Sequence, residues 1–484
     1  MLFNSLEYIA FLLAMFVAWW ATIRHLRVAR LVLLAGSLTF YACWQPAYLI
    51  LMISCTAVDF LCARGISQTS DPGRRKLFLV ASLVYDLGVL ALFQYFNFFM
   101  SSVGDVATWL DAHEAFTFGD TYLGAVRLDV LLPVGISFFT FQSMSYTIDV
   151  YRREMDAIPD YPRYLLFVSF FPQLVAGPIV RAIDLVPQLL TRPVLTDEMG
   201  SRGLFLIMIG LFKKVALADY LALNLVDRTF DMPGQFSSLE MLVGIYGYAF
   251  QIYCDFSAYS DIAIGSALLF GFHFPANFDS PYQSRNLQEF WRRWHISLST
   301  WLRDYLYVSL GGNRRGPWRT YRNLLLTMLL GGLWHGAGWN FVIWGALHGG
   351  ALAVLRALQR RREARGRPPL LRGPVGGALA GLLTFHYVCL AWVFFRTPDL
   401  EAAGSVLSRL AELSHGAANL APELLLVLGV AVVGHLWPAR HLERIIAGFG
   451  ALPASVQGVA LVAVGLGLRQ VAQVDMVPFI YFQF

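Results

Sequence analysis

The chain has 484 residues, of which 57% are hydrophobic and only 14% are charged, whereas an ordinary soluble domain carries about 25% charged residues. This composition excludes a soluble globular protein, because so few charges would not cover the surface around so much apolar material. The net charge of +5 comes from basic residues in short connections between apolar blocks, which is typical of membrane proteins. No nucleic-acid-binding pattern accompanies them, so we expect no nucleic acid partner.

Apolar blocks of membrane-spanning length follow one another along the chain. They cover residues 6–22, 30–50, 50–66, 77–100, 125–148, 164–180, 203–223, 239–271, 323–357, 374–395, 421–438 and 455–475. Lipid offers no hydrogen-bond partners to the backbone, so such blocks must form helices or a closed barrel. Their continuous runs of Leu, Val, Ala and Phe lack the two-residue alternation of barrel strands. The sequence therefore predicts an all-α, polytopic integral membrane protein with about eleven transmembrane helices plus re-entrant and interfacial helices.

The first apolar block, residues 6–22, precedes Arg24, Arg27 and Arg30. A cleavable signal would carry its positive charge before the apolar stretch and a small-residue cleavage site after it. Neither feature is present, so we expect this block to be a retained membrane helix followed by a cytoplasmic loop.

A polar segment rich in Trp, Tyr and Arg interrupts the apolar pattern from about residue 274 to residue 322. It is too polar to span a bilayer, so it lies at the interface or lines a water-filled recess. On a continuous helix, Trp291, His295 and Leu298 would share one face. His295 is then either a hydrogen-bonded interfacial residue or part of a site.

His335 lies in a glycine-flanked run, residues 331–336, inside the apolar block 323–357. An ionisable residue at membrane depth is costly and is by default a candidate functional residue. The flanking glycines allow a backbone or a ligand to approach closely. The residues alone leave a catalytic and a structural role open, and His348 and His386 also fall in apolar blocks.

Metal binding is a rival explanation for histidines within a membrane. Zinc sites usually pair histidines four residues apart or combine them with nearby carboxylates. No such histidine pair occurs, and the five cysteines form no C-x-x-C pair. We therefore expect no metal site.

A Walker A motif and a G-x-S-x-G motif are also missing from the sequence, which argues against an ATP-driven pump and an α/β-hydrolase.

Two acidic residues, Asp255 and Asp261, lie in the apolar block 239–271. In a transporter such residues would relay protons or cations. The sequence favours a structural role, in which they pair with arginines such as Arg292, Arg293 or Arg303. A substrate-lining role is the next interpretation.

Several motifs, taken together and in this order, resemble the bacterial, alginate O-acetyltransferase-like branch of the membrane-bound O-acyltransferase (MBOAT) family. The motifs are residues 170–178, 253–261, 289–305, 311–314, Asn323, 331–336 and the ending 479–484. The resemblance is densest over about 130–350. It implies one MBOAT transmembrane domain covering residues 1–484, in which a ring of helices surrounds a thinned centre crossed by a tunnel.

The resemblance also implies the residues of a site. His335 matches the family's catalytic histidine, and His295 matches its second motif histidine. The residues expected to bind substrate are Trp334, Trp294, Asp304, Tyr305, Arg303, Asn313, Asp255 and Asp261. No bound cofactor is implied.

Family members transfer an acyl group from a cytoplasmic thioester to a hydroxyl outside or within the membrane. The resemblance implies acetyl-CoA as donor, O-acetylation of an extracellular polysaccharide such as alginate, a periplasmic acetyltransferase partner protein, and a place among the lipids of a bacterial inner membrane. Peptidoglycan or another cell-wall polymer is the alternative acceptor. The arginines Arg292, Arg293 and Arg303 would bind coenzyme A phosphates or lipid headgroups. A transporter and a non-catalytic scaffold are the competing classes.

Overall fold

The computed structural model describes residues 1, 3–112, 128, 133–174, 177–368, 371–472 and 478–480. The α-helices are α1 Leu6–Thr22, α2 Leu26–Ala42, α3 Tyr48–Gln68, α4 Pro72–Leu90, α5 Phe96–Ala112, α6 Ile136–Arg152, α7 Tyr161–Ser169, α8 Phe171–Leu174, α9 Ala182–Leu190, α10 Asp197–Phe212, α11 Asp227–Asp231, α12 Ser238–Leu269, α13 Leu287–Arg293, α14 Ile296–Trp301, α15 Pro317–His335, α16 Trp339–Glu363, α17 Gly373–Arg396, α18 Leu400–Ala411, α19 Pro422–Leu436, α20 Ala439–Gly450 and α21 Ala454–Val471. Wider π-helical turns occupy Ala91–Tyr95, Lys213–Asp219, Ala222–Val226 and Leu302–Tyr307.

All regular elements among these residues are helices, so the predicted all-α class is confirmed. Parts of two predicted motifs, residues 175–176 and 481–484, lie outside the described residues.

Five helices of the described chain are long and apolar enough to cross a membrane. They are Tyr48–Gln68, Pro72–Trp109, Trp339–Glu363, Gly373–Arg396 and Ala454–Val471. A sixth candidate is the pair α19 and α20, which is bent by 94°. The chain is therefore a multi-pass membrane protein, but the predicted count of about eleven spans is not confirmed.

The outer faces of these helices are apolar. On α21, for example, Val459, Val462 and Leu466 are 69%, 63% and 59% exposed. Apolar side chains in such number are stable on a protein surface when lipid covers them.

The apolar block 323–357 forms a tight hairpin of α15 and α16. Glycines allow the two helices to touch backbone to backbone. A Cβ atom on Gly332 would lie 2.3 Å from the carbonyl oxygen of Phe341, and one on Gly345 would lie 2.4 Å from that of Met328. His335 is the last residue of α15 and so lies at the turn of this hairpin.

The polar segment that separates two apolar blocks forms only short helices, α13 and α14, followed by the π-helical turn Leu302–Tyr307. Its predicted inability to span a membrane as a helix is confirmed. In contrast, α12 is 32 residues long and largely buried. A capping box between Ser237 and Glu240 begins it, because the side chain and backbone of each residue bond to the other.

Candidate active site

His335 lies in a cage of aromatic rings. It is 6% exposed, and its ring centroid lies 4.9 Å from that of Trp334, 5.1 Å from that of Trp344 and 5.2 Å from that of Phe395. Each of these rings meets the imidazole edge to face, a favourable arrangement for aromatic pairs. The cage holds the imidazole in one position and keeps bulk water away from it.

The helix end that carries His335 is fixed from the side by the π-helical turn Ala91–Tyr95. The last carbonyls of a helix have no partners within it. Here the Tyr95 hydroxyl donates to the Leu333 carbonyl at 2.7 Å, and the Gln94 amide donates to the Trp334 carbonyl at 3.1 Å. These two bonds orient the turn from which the imidazole projects.

His295 does not lie on one helix with Trp291 and Leu298, so the predicted shared face is wrong. Helix α13 ends at Arg293, and His295 adopts a left-handed conformation with φ of 42° before α14 begins. Asn277 stabilises this break from outside, because its carbonyl accepts the Ile296 N–H at 2.9 Å. The kink turns the His295 side chain, which is fully buried, towards the protein centre.

The hydrogen bonds of Asn277 also set the proton position on His295. Asn277 Oδ1 accepts the Ser297 hydroxyl at 2.8 Å and the Ser297 N–H at 3.2 Å, and it lies 3.1 Å from His295 Nδ1. Since an amide oxygen only accepts, Nδ1 must be the donor, and a neutral imidazole then carries a lone pair on Nε2. That Nε2 atom has no hydrogen-bond partner among the residues that the structure describes.

Trp334 brings the two histidines together. Its ring centroid lies 6.2 Å from that of His295 and 4.9 Å from that of His335. Phe141 stacks on its other side at 5.2 Å. The Trp334 indole N–H is buried and has no acceptor within the described part of the chain. The Trp334 indole N–H, a donor, and the His295 Nε2 lone pair, an acceptor, therefore both lie at the Trp334 ring without partners in the described part of the chain.

Trp294, by contrast, belongs to a neighbouring aromatic cluster. It is 1% exposed and packs against Phe290 at 5.7 Å and Trp392 at 5.1 Å. Trp392 in turn contacts Trp344 at 5.9 Å. Trp294 therefore supports the cage around His335 from behind.

Two predicted site residues, Asp304 and Tyr305, have partners of their own. The Tyr305 hydroxyl donates to both carboxylate oxygens of Asp149, at 2.8 and 2.9 Å. Asp304 pairs with Arg181 at 2.8 Å and with Arg303 at 2.6 Å. Burial alone would raise the pKa of Asp304, but the hydrogen bonds from Arg303 and Arg181 outweigh it and lower the pKa below its usual value. Asp304 is therefore an ionised, bridging residue.

A cavity of about 590 Å³ opens beside this cluster and contains two other predicted residues, Arg303 and Asn313, in its wall. Arg292 and Arg356 add two more guanidinium groups, and Trp291 closes part of the wall. The cavity extends along the first half of α15 as far as Met328 and along the second half of α16. With a rise of 1.5 Å per residue, Met328 lies about 10 Å before His335 along α15.

Asp255 and Asp261 have lysine partners rather than the arginines expected from the sequence. Lys214 pairs with Asp255 at 2.9 Å, and Lys213 pairs with Asp261 at 2.5 Å. Asp255 also accepts the Ile480 N–H at 2.8 Å. These contacts favour the structural interpretation of both carboxylates, which join α12 to the π-helical turn Lys213–Asp219.

His348 connects the cavity wall to the cage of His335. The Trp291 indole N–H donates to its Nδ1 atom at 3.3 Å, and its ring lies 4.8 Å from that of Trp344. The sequence placed His348 in an apolar block but gave no sign of these contacts. Its partner Trp291 lies 57 residues earlier, beyond the reach of any helical periodicity.

We expect His348→Phe to lower the thermal unfolding midpoint of the detergent-purified protein. The buried Trp291 N–H would lose its acceptor, which costs about 1–3 kcal/mol. His348→Gln should recover part of the loss, because an amide oxygen can accept that bond. The exposed His415 provides the control His415→Phe. An unchanged midpoint for His348→Phe would contradict this role.

Comparison with known proteins identifies the family. Residues 40–395 match the model of the MBOAT, membrane-bound O-acyltransferase family. The chain belongs to the membrane-bound O-acyltransferase family. The predicted resemblance is thereby confirmed, and this MBOAT chain is an acyltransferase.

Individual relatives are similar over most of the MBOAT chain. A Pseudomonas aeruginosa protein named probable alginate O-acetylase AlgI is 43% identical over 378 residues, which cover 78% of this chain and 68% of the relative. A Helicobacter pylori protein named peptidoglycan O-acetyltransferase is 39% identical over 405 residues, covering 78% of this chain and 73% of the relative. A Bacillus subtilis teichoic acid D-alanyltransferase is 28% identical over 281 residues, covering 54% of this chain and 68% of the relative.

Proposed function

We propose that this MBOAT protein moves an acetyl group from acetyl-CoA on the cytoplasmic side to a hydroxyl acceptor for O-acetylation of an extracellular polysaccharide. The observation that carries the proposal is the contact of Trp334 with both His295 and His335, about 10 Å along α15 from a cavity lined by three arginines. The proposed location is the bacterial inner membrane, which separates the cytoplasmic thioester from the exported polymer.

The cavity suits the donor. Acetyl-CoA is a substrate that carries phosphates at one end and the thioester at the other. Guanidinium groups bind phosphates bidentately, and Arg292, Arg303 and Arg356 surround the cavity. Basic stretches at 314–322 and 360–367 lie at the same end of the α15–α16 hairpin, which favours a cytoplasmic location for this end by the positive-inside rule.

The chemistry follows from the two imidazoles. The acceptor hydroxyl attacks the acetyl carbon while His335 takes its proton, a contribution typically of about 10²–10⁴-fold. The new carbon–oxygen bond forms, the carbon–sulfur bond breaks, and the leaving thiolate receives the proton from His335. The Trp334 N–H stabilises the carbonyl oxygen as negative charge develops there. The His295 Nε2 lone pair accepts a hydrogen bond from a second donor group of the acceptor and so orients it.

The acceptor polymer has two candidates. The relatives named for alginate and for peptidoglycan are 43% and 39% identical, so both acceptors belong to the proposal, with alginate-type polysaccharide first. A periplasmic acetyltransferase partner protein would hand the acetyl group on. Ester analysis of both polymers from cells with and without the gene separates the two acceptors.

The proposed topology is one MBOAT domain with about eleven crossings. It is supported by a further apolar helix, the 17-residue α1, which would extend about 25 Å. Such helices suffice where the membrane is thinned around a central tunnel.

We expect Arg292→Ala to raise the KM for acetyl-CoA about 10- to 100-fold, because a charge-assisted bond to phosphate is worth about 1.5–3 kcal/mol. The neighbouring Arg293 gives a matched control, since it does not line the cavity and pairs with Glu289 at 2.9 Å. The measurement is acetyl transfer by purified protein in vesicles at varied acetyl-CoA. Equal KM values for both variants would contradict donor binding in this cavity, and no transfer by the wild type would contradict the proposed function.

A further inference from the structure

A second cavity, of about 330 Å³, lies between α2 and α7, away from both histidines. Three arginines and one carboxylate line it together with leucines of both helices. These residues are Arg27, Arg30, Asp160, Arg163, Leu31, Leu34 and Leu166. We propose that this α2–α7 pocket binds the phosphate of an anionic phospholipid, with the acyl chain lying along α2.

The pocket carries surplus positive charge. Arg163 pairs with Asp160 at 2.8 Å, so the single carboxylate neutralises one guanidinium. No ion pair is found for Arg27 or Arg30 within the described ranges, and the buried Nε atom of Arg30 has no hydrogen-bond partner there. Arg30 and Arg163 repel each other, and an anion between them would relieve that repulsion.

Two helix N-termini add to this charge. Arg27 and Arg30 lie in the first turns of α2, and Arg163 lies in the first turn of α7. The positive end of a helix dipole favours an anion. Asp160 already caps α7 by accepting the Arg163 N–H at 3.2 Å. The α2 end has no side-chain cap.

The apolar side of the pocket favours a lipid as the source of the anion. On α2, Val28 and Leu31 are 48% and 56% exposed, and together with Leu34 they form an apolar strip next to the arginines. Membrane lipid covers such a strip, so a phospholipid can place its phosphate at the arginines while its chain lies on the leucines. Basic pockets at the cytoplasmic ends of membrane helices recognise anionic headgroups in this way.

The test compares nanodiscs made of phosphatidylglycerol with nanodiscs made of phosphatidylcholine. The measured quantity is the difference in thermal unfolding midpoint between the two lipids, so general destabilisation by a mutation cancels. The variants are Arg27→Ala and Arg30→Ala. Arg24→Ala is the matched control, because Arg24 is exposed and does not line the pocket.

We expect a higher midpoint in phosphatidylglycerol for the wild type and for Arg24→Ala, and a smaller difference for each pocket variant. Lipid titration followed by native mass spectrometry should show about fivefold weaker phosphatidylglycerol binding per arginine removed. An equal difference in all four proteins would overturn the proposal. So would inorganic phosphate producing the full stabilisation in phosphatidylcholine, since the site would then bind a soluble anion.

Discussion

Replacing His335 with alanine is expected to reduce acetyl transfer by about 10²–10⁴-fold, the usual contribution of a positioned acid–base group. The protein should still reach the membrane, because the aromatic cage and the bonds from Gln94 and Tyr95 do not depend on the imidazole. The loss would follow from the missing proton acceptor alone.

The measurement is initial acetyl transfer at saturating acetyl-CoA, with each variant at matched membrane levels. His335→Gln retains polar side-chain volume and should be as inactive as His335→Ala, which separates chemistry from packing. His415→Ala is the surface control, and His295→Ala measures the contribution of the second histidine. Full activity of His335→Ala would favour a scaffold or a transporter.

Gly332→Ala is expected to have the second largest effect. The new methyl group would lie 2.3 Å from the Phe341 carbonyl oxygen and 3.2 Å from Gly345 Cα. Because the obstacle is backbone, α15 and α16 must separate, and overpacking of this kind costs typically about 1–3 kcal/mol. The separation would also move His335 relative to Trp344, so activity should fall together with stability.

The chain offers close controls for this substitution. A Cβ atom on the adjacent Gly331 would meet only the Leu302 Cδ1 atom, at 3.2 Å, and one on Gly350 in α16 would meet nothing within 4 Å. Alanine also has a higher helix propensity than glycine. Gly350→Ala should therefore match or exceed the wild-type thermal midpoint. If Gly332→Ala did the same, the close hairpin packing described for α15 and α16 would be wrong.

Long apolar helices were predictable because composition determines them. The block 374–395 corresponds to α17, Gly373–Arg396, and the block 239–271 corresponds to α12, Ser238–Leu269. Their ends are also marked locally, as by the capping box at Ser237. His335 stood out for a similar reason, since an ionisable side chain inside an apolar block is rare.

The remaining features depend on partners far away in the sequence. The break at His295 is stabilised by Asn277, 18 residues earlier, so helical periodicity through 291–298 gave the wrong face. Asp255 pairs with Lys214, whose own position depends on a π-helical turn. Periodicity describes neighbours on one element, and it contains no information about which element packs against it.

The hairpin of α15 and α16 shows the same limit. The block 323–357 is largely apolar, yet it breaks after His335 at Gly336. The glycines of the block indicated close packing, but they did not indicate where the chain turns. The hairpin is defined by the close approach of Gly332 to the Phe341 carbonyl and of Gly345 to the Met328 carbonyl. Each helix break inside an apolar block changes the number of membrane spans that the block contributes.

In the proposed reaction, an acetyl group passes from a cytoplasmic thioester directly to an acceptor hydroxyl, whose proton His335 takes. Its most direct test uses sealed inside-out vesicles that enclose acceptor polysaccharide and the periplasmic partner, with labelled acetyl-CoA added outside. Wild-type protein should place ester-linked label in the enclosed polysaccharide, and His335→Ala should place essentially none. Equal labelling by both proteins, or none by the wild type, would contradict the proposed reaction.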